Sequence, residues 1–285
     1  MDTKSAHDAV AKYYDDTLDL YDDLWGEHIH HGYWDEGDTS VERHAAQQRT
    51  VRELAAFAGL VPGSRVLDAG CGVGGPAIHL AAELGCTVQG VTLSQRQVGL
   101  ATEKAERAGV ADRITFRQLD ALATDYPDGS FDAVWALESL ELMADKEAFL
   151  AEALRVLRPG GRLALTTWCV RDGELTPAEA KLLRKIHQHY ELPYILPLSR
   201  YRAMVRDLGY QDVCTADWSA RVRHTYDTDI TGVTPLGEDR TYLLELARHK
   251  GVAILRFFAS IPLMKEAYER DVLQYGAIRA VKPAG

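Results

Sequence analysis

The chain has 285 residues, 46% of them apolar, and a formal net charge of -10. That length supports a full hydrophobic core in one large domain, and the acidic balance argues against a grip on a phosphate backbone. No apolar run reaches the ~18 residues of a membrane span, Met1–Ser5 lacks signal-peptide character, and Cys71, Cys86, Cys169 and Cys214 fit neither a metal motif nor a disulfide framework. The expectation is a reduced, cytoplasmic protein without nucleic-acid or membrane partners; a homo-oligomer is left open.

In chain order, residues 7–24 read as a helix, and 25–38 as an aromatic, histidine-rich loop. A helix follows from Ser40, a plausible N-cap, to Ala58. Apolar strands then alternate with helices. The strands are Arg65–Asp68, Thr87–Val91, Ile114–Leu119, Phe131–Leu137 and Leu163–Trp168, and the helices fall near 75–84, 94–108 and 145–157. Arg158-Pro159-Gly160-Gly161 reads as a tight turn into the fifth strand. This alternation predicts a mostly parallel sheet with helices on both faces. Beyond Cys169, helices are expected at 174–192, 197–208 and within 240–270, and strands at 212–219 and Gly276–Val281, the last antiparallel. The division read from this pattern is an N-terminal lid (1–40), a core (41–171) and a cap (172–210 and 222–270) above the carboxyl ends of the strands, where open α/β sheets bind ligands.

The chemistry concentrates at those strand ends. Val66-Leu67-Asp68-Ala69-Gly70-Cys71-Gly72-Val73-Gly74-Gly75 runs from a buried strand into a glycine turn. Gly70, Gly72 and Gly75 satisfy the dinucleotide pattern, but the second strand ends as Gly90-Val91-Thr92-Leu93-Ser94, without the acid a nicotinamide fold places about 20 residues on. With Asp68 ahead of alternating glycines, the loop resembles the S-adenosylmethionine loop of class I methyltransferases. Gly70, Gly72 and Gly74 would admit the methionine part to the backbone, and Asp68 would face its ammonium. Thr92, Ser94 and Gln97 are candidates for the ribose, with Ser94 equally a helix cap. Asp120 and the Ala121 N–H would meet the adenine. Glu138, leaving the fourth strand, would stand beside the methyl and the acceptor, acting on charge or a proton or else tying down the N-terminal segment. Glu141 reads as solvated or secondary. Tyr14, Tyr33, His30 and His31 add aromatic faces and candidate bases from the N-terminal region; the histidines read as loop hydrogen-bonders rather than metal ligands.

Over nearly the whole chain, the sequence resembles γ-tocopherol methyltransferases. The likeness is carried by Trp25–Tyr33, the Asp68 loop, Val91-Thr92-Leu93-Ser94 with Gln97, Glu138-Ser139 and Thr167-Trp168-Cys169 with Arg171. It continues through Leu192-Pro193, Ala216–Ser219, Pro262–Met264, Tyr275-Gly276 and Lys282-Pro283. Sterol and prenyl C-methyltransferases are similar over the core. The resemblance implies a Rossmann-like α/β fold with a helical cap, S-adenosylmethionine as cofactor, and a small, largely apolar acceptor. Mg2+ would enter only with a diphosphate acceptor. Several relatives carry a histidine where this chain has Leu142, which cannot take a proton. That favours C-methylation of a prenyl or aromatic acceptor, unless His30 or His31 substitutes. The alternatives are an O- or N-methyltransferase and a cyclase that retains S-adenosylmethionine.

Overall fold

The computed structural model describes residues 9–16, 18, 26–37, 40–226 and 253–284. Seven strands form one sheet in the order β3-β2-β1-β4-β5-β7-β6. They are β1 (Arg65–Ala69), β2 (Thr87–Thr92), β3 (Ile114–Gln118), β4 (Phe131–Leu137), β5 (Leu157–Val170), β6 (Gln211–Asp217) and β7 (Leu273–Val281). Only β7 is reversed: it pairs antiparallel with β5 and with β6, while β1 through β5 pair parallel. The expected architecture, with its antiparallel last strand, is the one observed.

Both faces of the central strands are buried, as a parallel sheet between helix layers requires. Val66, Ala133 and Trp135 point into one core with α1 (Arg43–Ala58), α2 (Gly75–Leu84) and α3 (Gln95–Arg107). Leu67, Val134 and Ala136 point into the other with α4 (Lys146–Val156) and α6 (Leu198–Asp207). Local signals set the helix starts. The Ser94 hydroxyl accepts from Gln97 N at 3.0 Å, Asp145 caps α4 through Ala148 N at 2.9 Å, and Thr176 and Glu179 form a reciprocal capping box on α5 (Pro177–Tyr190).

Some expectations are corrected. The helix read from Ser40 begins at Arg43, with Glu42 at the N-cap position and no side-chain cap. The Arg158–Gly161 turn is a kinked part of β5, where the register against β4 slips between Phe131 and Ala133. Residues 198–207, placed in the cap, are α6, and its Tyr201 and Val205 pack into the core beneath the sheet. A side chain every third or fourth residue facing inward makes α6 a sheet-covering helix. In the region expected to be helical from 240 to 270, α7 (Ala253–Glu269) is described. Residues 240–252, Trp25 and most of 17–24 lie outside the described residues. No helix among those described is long and apolar enough to cross a membrane.

Candidate functional site

Sheet order fixes the site. The chain winds outward from β1 to β2 and β3, then returns to place β4 on the other side of β1, so a crevice opens at the carboxyl ends of β1 and β4. A cleft of about 1000 Å3, partly open to solvent, occupies it. Tyr14, Asp68, Gly70, Gly72, Thr92, Ser94, Gln97, Asp120, Ala121 and Glu138 all line it. Apart from Tyr14 of the N-terminal helical segment, they lie at or after the carboxyl ends of four successive strands, so only the tertiary fold brings them together.

The glycines divide by role. Gly72 sits at φ +51 with nothing within 4 Å of a would-be Cβ, so a side chain there would project into open cleft. Gly70 packs on Ser139. Gly74, expected at the ligand, does not line the cleft: its Cβ position lies 2.8 Å from Phe116 Cζ and 3.0 Å from Ala101 Cβ, so its smallness serves helix packing.

Asp68 supplies the main electrostatic feature. Its Oδ2 is buried and has no hydrogen-bond partner among the described residues, and burial pushes its pKa up to about 7. An unpaired acid facing a cleft fits a cationic ligand group. A folded-state value above the unfolded 3.8 means that this group's stabilisation of the ligand-free chain is full below pH ~3.8 and lost as pH rises through about 7. Binding of S-adenosylhomocysteine should show the complementary trend. Affinity is expected to rise toward tenfold per pH unit below about 7 and to level off above it, because the ammonium binds the ionised acid. Calorimetry across that range checks this, and Asp68→Asn should bind weakly without the pH dependence.

Neighbouring strand ends are pre-set. Thr92 Oγ1 donates to Gln97 Oε1 at 2.5 Å, which commits the amide oxygen and leaves its NH2 for a ligand. Ser94 caps α3, one of its two expected roles, and its hydroxyl also bonds Asp15 from the helical segment 9–16. That segment also contributes Val10, Ala11 and Tyr14 to the cleft wall. Asp120 Oδ1 accepts from Leu122 N at 2.9 Å, a local turn that aims the residue along the cleft rim. Asp120→Ala is expected to weaken S-adenosylhomocysteine binding by about 1–2 kcal/mol, the usual loss when a partner is left unpaired, and calorimetry would show an unchanged affinity if the residue serves the turn alone.

A second, smaller cleft of about 500 Å3 shares Tyr14, Ile29, His30, Glu138 and Leu142 with the first. His31, Glu141, Trp168, Tyr190, Leu192 and Tyr226 complete its wall. Glu138 is its centre. The carboxylate accepts from His31 N (2.7 Å), Trp168 Nε1 (3.1 Å) and the Tyr275 hydroxyl (2.8 Å), and His31 Nδ1 stands 2.8 Å away. Burial pushes its pKa up, but the His31 ring, the His30 ring and the His31 N–H outweigh burial and hold it at about 2. Its backbone sits at φ +52, a left-handed conformation that costs a non-glycine residue about 1–3 kcal/mol.

Of the two readings given for Glu141, solvated or secondary at the site, the structure excludes the first. The residue is 2% exposed rather than solvated, with Thr167 Oγ1 at 3.0 Å from Oε2. Burial and then the Glu138 charge push its pKa up to about 8. Two carboxyls in one cleft are thus driven apart, one ionised and one neutral.

The histidines also separate. His30 Nδ1 donates to the His31 carbonyl (2.9 Å), and its Nε2 meets His28 Nδ1 (3.0 Å). Both nitrogens are committed, and burial lowers its pKa to about 4. His31, by contrast, gives Nδ1–H to Glu138, so Nε2 is its accepting end. The Tyr268 hydroxyl stands 3.3 Å from that nitrogen. Buried Gln47 and Thr50 of α1 hold the loop, through the carbonyls of His28 (2.7 Å), His30 (3.0 Å) and His31 (2.7 Å). Tyr33 faces away from both clefts. Its ring packs edge-on to Trp218 at 5.3 Å with the Arg49 guanidinium at 5.2 Å. Among the described residues, no group of three or more His, Cys, Asp or Glu is placed to hold a metal ion.

Sequence reasoning gave no role to Trp168, Tyr275, Thr167, Tyr190 or Tyr226. The available signals were the position of Thr167-Trp168 at the carboxyl end of the fifth strand and the presence of Thr167-Trp168 and Tyr275 among the motifs that carry the family resemblance.

The fold and crevice define a class of α/β proteins that bind a nucleoside-bearing ligand across the switch point of a doubly wound sheet. Residues 67–165 match the methyltransferase domain family. The chain is 35% identical to the chloroplastic tocopherol O-methyltransferase of Arabidopsis thaliana, over 99% of this chain and 84% of that protein. It is 37% identical to the 27-O-demethylrifamycin SV methyltransferase of Amycolatopsis mediterranei, over 90% and 93%. Its structure superposes on the [4+2]-cyclase SpnF with a TM-score of 0.81 and 28% identity, covering 97% of this chain and 96% of that one. The chain belongs to the class I S-adenosylmethionine-dependent methyltransferases.

Proposed function

We propose that this enzyme methylates a hydroxyl group of a small, largely apolar specialised metabolite, held in the second cleft. The observation that carries this reading is His31, seated on Glu138 through Nδ1 and lining an aromatic cleft that runs into the first. S-adenosylmethionine, when bound, supplies an activated methyl group. The first cleft fits it: Asp68 meets the ammonium, Gly70 and Gly72 admit the chain, Thr92, Ser94 and Gln97 serve the ribose, and Asp120 with the Ala121 N–H serves the adenine. Residues 9–16 act as the lid, with Tyr14 spanning both clefts.

In the second cleft, Tyr14, Trp168, Tyr190 and Tyr226 exclude water and hold an apolar body. Leu142 lines the wall without proton chemistry, and His31 supplies that chemistry from the N-terminal loop. Glu138 fixes the His31 tautomer and balances the imidazolium formed when Nε2 takes the hydroxyl proton. At 3.3 Å, Tyr268 is a weak partner that an acceptor hydroxyl displaces. The relatives that carry O-methyltransferase names support the same reading.

A second reading is methylation at carbon of a prenyl or aromatic acceptor. The ionised Glu138 in a cleft with four aromatic rings favours it, since that setting stabilises a developing cation. Transfer from methyl-13C S-adenosylmethionine to a panel of phenols, polyketides and prenyl acceptors separates the two by NMR of the product. Label on oxygen supports the first reading and label on carbon the second. An acceptor that cyclises while the label stays on the donor overturns both.

A further inference from the structure

The second cleft holds two carboxyls, and only one is matched by donors. Glu138 takes four. Glu141 is offered two, the Thr167 hydroxyl and its own backbone N–H. The nearby ammonium is turned elsewhere: Lys146 Nζ bonds the backbone oxygens of Glu141 (3.3 Å) and Met143 (2.8 Å) and stands 4.0 Å above the Tyr194 ring. Lys146 is therefore spent on the main chain of the turn. The other ionisable groups acting on Glu141 are acids: Glu138 at the end of β4, Cys169 of β5, Tyr201 of α6, Tyr268 of α7, Tyr275 of β7 and Tyr14 of the lid segment. The Thr167 hydroxyl, the Glu141 N–H and the Lys146 charge offset only part of what burial and the Glu138 charge impose on a second negative charge.

We infer that Glu141 serves as a neutral carboxylic acid whose O–H donates to a carbonyl, quinone or ether oxygen of the acceptor. The inference rests on the reading of the second cleft as the acceptor site. It narrows the substrate class to hydroxylated rings that carry a second, hydrogen-bond-accepting oxygen. Thr167 keeps one carboxyl oxygen in place, and the residue lines the second cleft. An acceptor without that oxygen leaves a buried donor unpaired and should bind about 10- to 100-fold more weakly.

The test uses the full chain loaded with S-adenosylhomocysteine and two matched probes, 4-(4-hydroxyphenyl)butan-2-one and 4-butylphenol, whose phenols both ionise at pH ~10. Calorimetry is expected to show the ketone bound at least about tenfold more tightly, a preference that fades above pH 8, where Glu141 ionises. Glu141→Gln, neutral and similar in shape, should keep the preference and lose its pH dependence; Glu141→Leu should abolish it. Infrared difference spectra between wild type and Glu141→Gln should show a protonated-carboxyl band. Equal affinity for the two probes, or absence of that band at neutral pH, overturns the inference alone. Failure of both probes to bind while the band is present overturns the assignment of the cleft, and the inference with it.

Discussion

Glu138→Gln is expected to lower kcat by about 10²-fold or more, with S-adenosylhomocysteine affinity moving less than about threefold. The carboxylate accepts from four donors on three segments of the chain. An amide offers one oxygen and two N–H groups, so at least one buried donor then faces another donor. His31 loses the partner that sets its tautomer and balances its charge. That loss falls on the step in which charge develops, not on cofactor binding. Leaving buried donors unpaired also costs stability, about 1–3 kcal/mol, and a melting temperature lower by several degrees should accompany the kinetic loss. Steady-state kinetics, calorimetry and thermal unfolding on one preparation check this. Near-wild-type turnover with the same fall in melting temperature would reduce Glu138 to a tie for the N-terminal loop. The His31→Ala variant separates the two roles further, because it should lose turnover while the contacts from Trp168 and Tyr275 to Glu138 persist.

Gly72→Val is expected to weaken S-adenosylhomocysteine binding more than about 100-fold while the fold survives. No atom lies within 4 Å of the Cβ position, so the side chain has room, and that room is the cleft itself. The residue also sits at φ +51, where a β-branched side chain costs about 1–2 kcal/mol. Gly72→Ala carries most of the backbone cost with less of the obstruction, so its smaller binding loss would show that occupancy of the cleft dominates. A matched substitution at Gly70 should behave differently. Its Cβ would collide with Ser139, whose hydroxyl donates to the Ala69 carbonyl at 2.6 Å, and loss of stability should come first. Circular dichroism melting alongside calorimetry distinguishes obstruction from unfolding.

Sequence alone determined the frame. The alternation of apolar strands with helices dictates a parallel sheet, because each such strand must be covered on both faces. The turn from Ala69 through Gly70 and Gly72, the acid at 68 and the strand ends at 92, 120 and 138 mark a ligand crevice, because those positions emerge at one edge of such a sheet. What tertiary structure decided is which residues meet and in what charge state. Gly74 fits the glycine pattern, but its neighbours Phe116 and Ala101 come from other elements, and their packing claims it. His30 and His31 are adjacent and alike in sequence. One is saturated by His28 and a carbonyl, and the other lies on Glu138, 107 residues away along the chain. Glu138 and Glu141 are one turn apart and chemically equivalent as free side chains. His31 and His30, 107 or more residues away, keep the first ionised, while burial beside that charge keeps the second neutral. Sequence pattern records local periodicity and turn chemistry. It does not record desolvation or long-range hydrogen bonding, and those set the acid and base character of this site.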